Sequence, residues 1–147
     1  MRIKILFCLI LSVMLITSCS ERGNVDLGGK YRLIHSANFI DMVIVKEYNE
    51  VAIHVHILSY AFDSTFILAA QRPRDSVPGI ETMTHDKYDE VFEKSTFRQY
   101  WIIDKTKESV FDEATKKYSN VYGPFQKEEY LQKREELGVP QELKLKE

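Results

Sequence analysis

Two histidines separated by a single residue form the pattern in this chain that most directly suggests chemistry. His54 and His56 fall in residues 51–58, where side chains alternate as they do along a β-strand. Since residues i and i+2 of a strand point to the same face, both imidazoles could bind one metal ion. Candidates for a third ligand are His35, His85 and Asp63. No spacing selects among them. His54 and His56 are therefore candidate metal ligands, and the simpler explanation is that both lie on the solvent-facing or half-buried face of a strand.

The rest of the sequence lacks the patterns that predict an enzyme. No serine lies in a Gly-x-Ser-x-Gly setting, and Gly28-Gly29 is not followed by the rest of a phosphate-binding loop. The neighbouring acids Asp112 and Glu113 would point about 100° apart on a helix, so they would not act as an acid–base pair. We therefore predict a non-catalytic protein that needs no cofactor.

Tyrosine and tryptophan supply a second kind of candidate. The chain has eight Tyr and one Trp, and such rings are enriched in protein interfaces. Many of them fall on predicted strands, where the hydrophobic core is the default location. Tyr60, with His54 and His56, marks the strand face that we consider for binding. The loop at residues 73–78 is the other candidate contact region.

Length and charge narrow the class of protein. The 147 residues suit one domain, and 44% hydrophobic with 29% charged residues is an ordinary globular composition. There are 20 Lys or Arg against 22 Asp or Glu, for a net charge of −2. Because binding to a phosphate backbone needs an excess of basic side chains, we expect no nucleic-acid partner.

The first 18 residues have the pattern of a secretory signal peptide. Two basic residues precede an apolar stretch at residues 5–16, which is too short to span a bilayer. Residues 16–19, Ile-Thr-Ser-Cys, resemble the lipobox of bacterial lipoproteins. That resemblance implies that Cys19 receives a diacylglycerol, that the signal is removed just before it, and that the new amino group is acylated, as with palmitate.

A lipidated Cys19 would anchor the protein to a membrane of the bacterial cell envelope without spanning it. Ser20 resembles the residue found after the cysteine in outer-membrane lipoproteins, so we expect the outer membrane and leave open the periplasmic and surface faces. The following residues are polar and rich in glycine. We predict a lipidated cysteine and tether over residues 19–29 and a single domain over residues 30–147.

The pattern of the domain predicts the α+β class, with one antiparallel sheet of about five strands and one or two helices. Strands are predicted at residues 30–35, 42–48, 51–58, 65–71 and 100–103, and the fourth should lie centrally because both its faces are apolar. Residues 83–97 have helical spacing, and residues 110–122 fit either a short helix or a ragged strand. A C-terminal helix should begin at Pro124 and end at Gly138.

Short motifs also occur in a recognisable order. They are Leu27-Gly28-Gly29-x-Tyr31, a strand ending near Gln71, Tyr100-Trp101-Ile102-Ile103-Asp104-Lys105, and Tyr122-Gly123-Pro124-Phe125. Together they resemble a group of small bacterial lipoproteins classed as a domain of unknown function. The resemblance covers residues 26–143 and says least about residues 72–99, whose role the sequence leaves open. It implies no activity, cofactor or catalytic residue.

Three hypotheses about function remain. The first is a lipid-anchored binding or accessory module that contacts another envelope protein. The second is a periplasmic inhibitor or immunity protein of a toxin or hydrolase. The third is a metal-dependent enzyme built on His54 and His56. The partner, the ligand, the membrane face and the oligomeric state stay open.

Overall fold

The computed structural model describes residues 23–35 and 42–146 of the chain, so the predicted signal peptide and Cys19 lie outside the described residues. Within those ranges there are ten strands, two α-helices and three short 3-10 helices (Glu47–Asn49, Arg74–Ser76 and Ile80–Thr82). The strands are β1 (Asn24–Gly28), β2 (Tyr31–His35), β3 (Met42–Val45), β4 (Val51–Ile53), β5 (Ile57–Phe62), β6 (Phe66–Gln71), β7 (Gln99–Asp104), β8 (Phe111–Asp112), β9 (Lys117–Tyr118) and β10 (Val121–Phe125). The α-helices are α1 (His85–Lys94) and α2 (Lys127–Leu137).

The strands form two antiparallel sheets that pack face to face. The first sheet has the order β1-β2-β3-β4, the second has the order β10-β7-β6-β5, and β8 and β9 form a separate hairpin. The predicted α+β class, its antiparallel pairing and the C-terminal helix are confirmed. The prediction of a single sheet of about five strands is wrong, because alternation identifies a strand but not the sheet to which it belongs.

The core between the two sheets is built from alternate residues of the central strands. Ile67 of β6 and Ile103 of β7 pack against Leu33 and Ile44 of the first sheet, and all four side chains are fully buried. Burying four such side chains contributes about 1.5–3 kcal/mol each to the free energy of unfolding. This layer therefore makes a large contribution to the stability of the sandwich.

The opposite face of the second sheet is covered by α2. Leu68 and Ile102 point to that side and lie in one cluster with Tyr130 of the helix. Tyr130 stacks on Tyr100 of β7 with ring centroids 4.9 Å apart. Because it is covered on both sides, every residue of β6 is buried, which confirms the predicted central strand.

The C-terminal helix begins later than predicted. Pro124 belongs to β10, and the helix begins only after Gln126, which forms a capping box with Glu129. The helix ends before Gly138, as predicted, and Gly138 has the left-handed φ of +69° that favours glycine. The start was misplaced because a Gly-Pro pair is compatible with a helix start and with the end of an edge strand alike.

The single strand predicted at residues 51–58 is also wrong. Its first half is β4 in the first sheet and its second half is β5 in the second, with a bend at residues 54–56 between them. A register shift in the pairing of β3 with β4 leaves Ala52 and Ile53 both buried and Val51 exposed. The two histidines therefore lie in a connection between sheets and not on a strand.

The bounds of several other elements differ from those predicted. Residues 24–28, which the sequence assigned to the tether, pair with β2 as β1, and the predicted strand at residues 42–48 ends at Val45. The helix predicted at residues 83–97 is confirmed as the shorter α1, which packs on Val77 in a separate cluster. Residues 110–122 contain the β8–β9 hairpin and the start of β10.

Candidate binding surface

The structure separates the two histidines that the sequence placed on one face. His54 is exposed, whereas His56 is buried and lies 4.7 Å from the ring of Phe92 on α1. Of the third-ligand candidates, Asp63 accepts hydrogen bonds from its own hairpin, at 2.7 Å from the amides of Thr65 and Phe66. In residues 23–35 and 42–146, no three His, Cys, Asp or Glu side chains are grouped closely enough to hold a metal ion.

Tyr60, the third residue of the predicted binding face, points elsewhere. It lies on β5 and packs against the core between the sheets, partly buried, with its ring stacked 6.4 Å from that of Phe62. Tyr60, His54 and His56 therefore do not share one exposed face. The alternation of residues 51–58 suggested that they would, because it gave no sign of the bend at residues 54–56.

One end of the sandwich is organised around Gln71, and we call it the Gln71 end. The side-chain amide of Gln71 donates to the carbonyls of His54 and Val55 at 2.8 and 3.2 Å. Its oxygen accepts from Gln99 and from the indole of Trp101, both at 2.7 Å. This single buried side chain therefore fastens the connection between the sheets to the two central strands of the second sheet.

Arg72, next to Gln71, fixes α1 to the same end. Its guanidinium donates to the carbonyls of Phe92 at 2.7 Å and Phe97 at 3.1 Å, and it lies 5.1 Å from the Phe92 ring. Burial, and then the charge of Arg98, lowers the pKa of Arg72. Because its guanidinium bonds only to carbonyls of the helix and of the segment that follows it, Arg72 has a structural role, and the segment at residues 72–99 is a packed part of the fold.

The opposite end is organised around Lys105, and we call it the Lys105 end. The Lys105 ammonium donates to the carbonyl of Leu27 in the first sheet at 2.6 Å and to the carbonyl of Asp63 in the second. Its side chain lies against the Gly28-Gly29 turn, where a Cβ on Gly29 would approach it to 2.9 Å. Burial lowers the pKa of Lys105. This lysine holds the turns of both sheets together.

A second buried contact joins the sheets at the Lys105 end. The amide nitrogen of Asn120 donates to the Tyr31 hydroxyl at 3.0 Å and to the carbonyl of Asp104 at 2.9 Å. Asn120 is only 1% exposed, so these bonds replace the water that its amide would otherwise need. Several residues of the short sequence motifs thus meet in the tertiary structure, where they hold the fold together.

The turn between β3 and β4 projects from the Lys105 end with a tyrosine at its tip. Tyr48 is 92% exposed, and both Tyr48 and Asn49 have left-handed φ values, of +60° and +63°. Arg32 braces the turn by donating to the Asn49 side chain at 2.8 Å, and Lys30 pairs with Glu47 at 3.0 Å. Left-handed backbone at non-glycine residues is costly, and it is often retained for function.

Beside this turn lies the β8–β9 hairpin. The Tyr118 hydroxyl donates to the Glu50 carboxylate, and the Lys46 ammonium lies 4.7 Å from the Tyr118 ring. Burial, followed by the hydrogen bond to Glu50, raises the pKa of Tyr118 to about 12. Phe111 packs edge-on against Tyr118 with centroids 5.2 Å apart and stays 41% exposed. The hairpin is thereby fastened to the Tyr48 turn.

Exposed apolar side chains concentrate at this end. Among the described residues, seven large hydrophobic side chains are exposed, and five of them belong to turns or strand ends at the Lys105 end. These five, which we call the apolar rim, are Tyr48, Val51, Phe62, Val110 and Phe111. The sequence analysis missed them as a group, because they come from three separate segments. Only their position in turns next to polar residues could have indicated exposure.

The described chain starts at the opposite end. The carbonyl of Gly23 accepts a hydrogen bond from His35 at 3.2 Å, at the end of β2 that lies away from Lys105. A five-residue strand such as β2 spans about 16 Å. The apolar rim therefore lies on the far side of the sandwich from the point at which the N-terminal segment joins it.

Comparisons with known proteins agree with the expected kind of family. A family model described as "Protein of unknown function (DUF3997)" matches residues 28–147. Searches of curated proteins and of solved structures each return no significant match. In the described part of the chain, no helix is both long and apolar enough to cross a membrane.

Proposed function

This chain belongs to the DUF3997 family of proteins of unknown function, and we propose that it is a non-catalytic binding module, lipid-anchored in the bacterial cell envelope. The anchor would be Cys19, in the lipobox-like sequence that ends the apolar leader. The module would use the apolar rim to contact another envelope protein. Neither a cofactor nor a nucleic acid has a part in this proposal.

The observation that carries the proposal is the placement of the two ends. A chain tethered through residues 19–22 would meet the membrane near Gly23, at the Gln71 end of the sandwich. The apolar rim would then face away from the membrane, where a second protein can reach it. A module that only coated the bilayer would instead be expected to expose its apolar side chains near the tether.

The chemistry of the rim also fits a protein partner. Tyr48 and Phe111 are aromatic, and aromatic side chains dominate the energetics of many protein interfaces. The Tyr48 turn is braced by Arg32 and Lys30, so little conformational entropy would be lost on binding. The exposed ion pair of Lys30 with Glu47 beside Tyr48 places charges of both signs next to the rim, as in the polar edge of many interfaces.

Site-specific photo-crosslinking in the bacterium that produces the protein tests the contact surface. A photoreactive phenylalanine analogue at Phe111 is compared with the same analogue at Phe97, since the two positions are 41% and 40% exposed. Phe111 lies in the apolar rim and Phe97 lies at the Gln71 end. We expect one dominant envelope protein to be captured from position 111 and not from position 97. Capture from position 97 alone would show that the assigned surface is wrong.

The identity of the captured protein distinguishes the two binding hypotheses. A structural or transport component of the envelope would support an accessory module. A toxin or hydrolase whose activity falls on stoichiometric complex formation would support the inhibitor hypothesis instead. If no specific protein is captured from position 111, that result counts against both hypotheses.

The anchor has its own test. Cys19→Ala should abolish incorporation of labelled palmitate and release the protein from the membrane fraction, whereas Ser20→Ala serves as the neighbouring control. Continued labelling of Cys19→Ala would contradict lipidation at this residue. This result is independent of the crosslinking result, because it concerns only the leader and the tether.

A further inference from the structure

The C-terminal helix and the tail that follows it enclose a cleft that the proposed function does not use. Gly138 turns the chain back, and Arg134 holds the returning tail by donating to the carbonyls of Pro140 at 3.0 Å and Leu143 at 2.7 Å. The space between helix and tail is a cleft of about 960 Å³. That volume is typical of sites for small molecules.

The walls of the cleft combine apolar surface with positive charge. Leu131, Val139 and Leu145 line it, and Leu131 is 48% exposed. Two cations besides Lys127, namely Arg134 and Lys144, line it together with one carboxylate, Glu135. The cleft is therefore locally positive on a chain whose net charge is −2.

Arg134 is the central cation. Its acceptors are neutral, namely the two tail carbonyls and the Tyr130 hydroxyl at 3.3 Å. Within the described ranges, no carboxylate forms an ion pair with it. A half-buried guanidinium that touches only neutral groups retains a charge that an anionic ligand can neutralise.

We infer that this cleft binds a small aliphatic carboxylate. Its carboxylate would lie near Arg134 and Lys144, and its hydrocarbon chain would cover Leu131 and Leu145. A cleft with walls on both the helix and the tail suits a small ligand that enters it.

Isothermal titration calorimetry of the full domain with decanoate, below its micelle-forming concentration, tests the inference. Decyltrimethylammonium, with the same chain length and the opposite charge, is the ligand control. We expect saturable binding of decanoate with one site per chain and at least tenfold weaker binding of the cation. Absence of decanoate binding, or equal binding of both amphiphiles, would overturn the inference.

A matched pair of variants locates the site. Lys144→Glu and Lys146→Glu make the same charge change two residues apart on the tail, but only Lys144 lines the cleft. We expect Lys144→Glu to weaken decanoate binding by roughly three- to tenfold and Lys146→Glu to leave it within about twofold. Equal losses would mean that decanoate binding depends only on the net charge of the protein, and the assigned site would be wrong.

Leu131 provides a second pair that does not change the charge. Leu131→Asn removes the exposed apolar contact, whereas Gln132→Asn alters a neighbouring exposed residue that is outside the cleft. The first should weaken decanoate binding and the second should not. Neither replaces a buried side chain, so both variants should fold, and unchanged binding to Leu131→Asn would contradict the placement of the hydrocarbon chain.

Discussion

The indole nitrogen of Trp101 donates a hydrogen bond of 2.7 Å to the side-chain oxygen of Gln71, and both residues are buried. They are diagonal neighbours on the two central strands of the second sheet, where Gln71 lies opposite Gln99 and Trp101 lies opposite Ala69. The other half of the Gln71 amide donates to the backbone at residues 54 and 55. The Gln71 side chain is thus satisfied on all sides, and it links the sheets where the chain passes from one to the other.

Replacing Gln71 by leucine should therefore be costly. The substitution leaves the Trp101 indole and two backbone carbonyls without their partner, and we expect the free energy of unfolding to fall by about 2–4 kcal/mol. Fluorescence of Trp101, the only tryptophan in the chain, reports unfolding in urea. Gln99→Leu removes one bond to the same oxygen at a half-buried site and should cost about 1 kcal/mol. Equal losses for the two variants would contradict the central role of Gln71.

Gly123 should tolerate no side chain. It has a φ of +131°, and a Cβ there would lie 2.7 Å from the Tyr100 carbonyl and 2.9 Å from the Trp101 ring. We expect Gly123→Ala to lower the free energy of unfolding by about 3 kcal/mol or more, because the backbone of β7 cannot move away. Gly138→Ala is the control, with a φ of +69° and open space around it, and should cost about 1 kcal/mol. Thermal or urea denaturation measures both, and similar losses would argue against the clash.

Lys105→Met should weaken the attachment of the β1–β2 turn to the second sheet. The variant keeps the aliphatic part of the side chain but leaves the carbonyls of Leu27 and Asp63 without their donor. We expect a loss of about 1–3 kcal/mol and faster amide hydrogen exchange in the turn. Lys107→Met, at an exposed position, should change stability by less than about 0.5 kcal/mol. Unchanged exchange in Lys105→Met would contradict the predicted attachment.

Alkaline pH should destabilise the fold through Tyr118. Its pKa is raised to about 12 in the folded state by burial and by the hydrogen bond to Glu50, whereas an unfolded tyrosine titrates near 10. The unfolded state thus loses this proton first. The contribution of Tyr118 is present below about pH 10 and is lost as the pH rises from about 10 to 12.

Urea titrations at several pH values measure this effect as the difference between the wild type and Tyr118→Phe. The subtraction removes the effect of other groups, including Lys105. We expect the difference in stability to shrink as the pH passes from about 10 to 12. A difference that stays constant across this interval would show that the Tyr118 proton is not coupled to folding.

Tyr48 should matter for binding and not for stability. Because its φ is +60° and its side chain is 92% exposed, Tyr48→Gly should raise the free energy of unfolding by up to about 1 kcal/mol. Tyr48→Ala should leave it within about 0.5 kcal/mol of the wild type. Both should reduce crosslinking from position 111 to the envelope partner. A marked loss of stability in Tyr48→Ala would indicate a structural role for this side chain.

Local sequence predicted the type of most elements, since hydrophobic periodicity is a property of neighbouring residues. The apolar run at residues 65–71 predicted the central strand β6, and Gly138 predicted the end of α2. The lipobox-like segment ending in Cys19 predicted a location in the envelope and remains a prediction. The resemblance predicted a family of unknown function, and a family model of that kind matches residues 28–147.

The tertiary structure alone decided where the strands go and which side chains meet. Gln71 and Trp101 are 30 positions apart, and Lys105 contacts a carbonyl 78 positions away. No periodicity specifies such pairs, because the first depends on which strands become neighbours in a sheet and the second on how the two sheets pack. The bend at residues 54–56 separated His54 from His56. Likewise, the apolar rim arises because antiparallel strands bring turns from distant parts of the chain to one end of the sandwich.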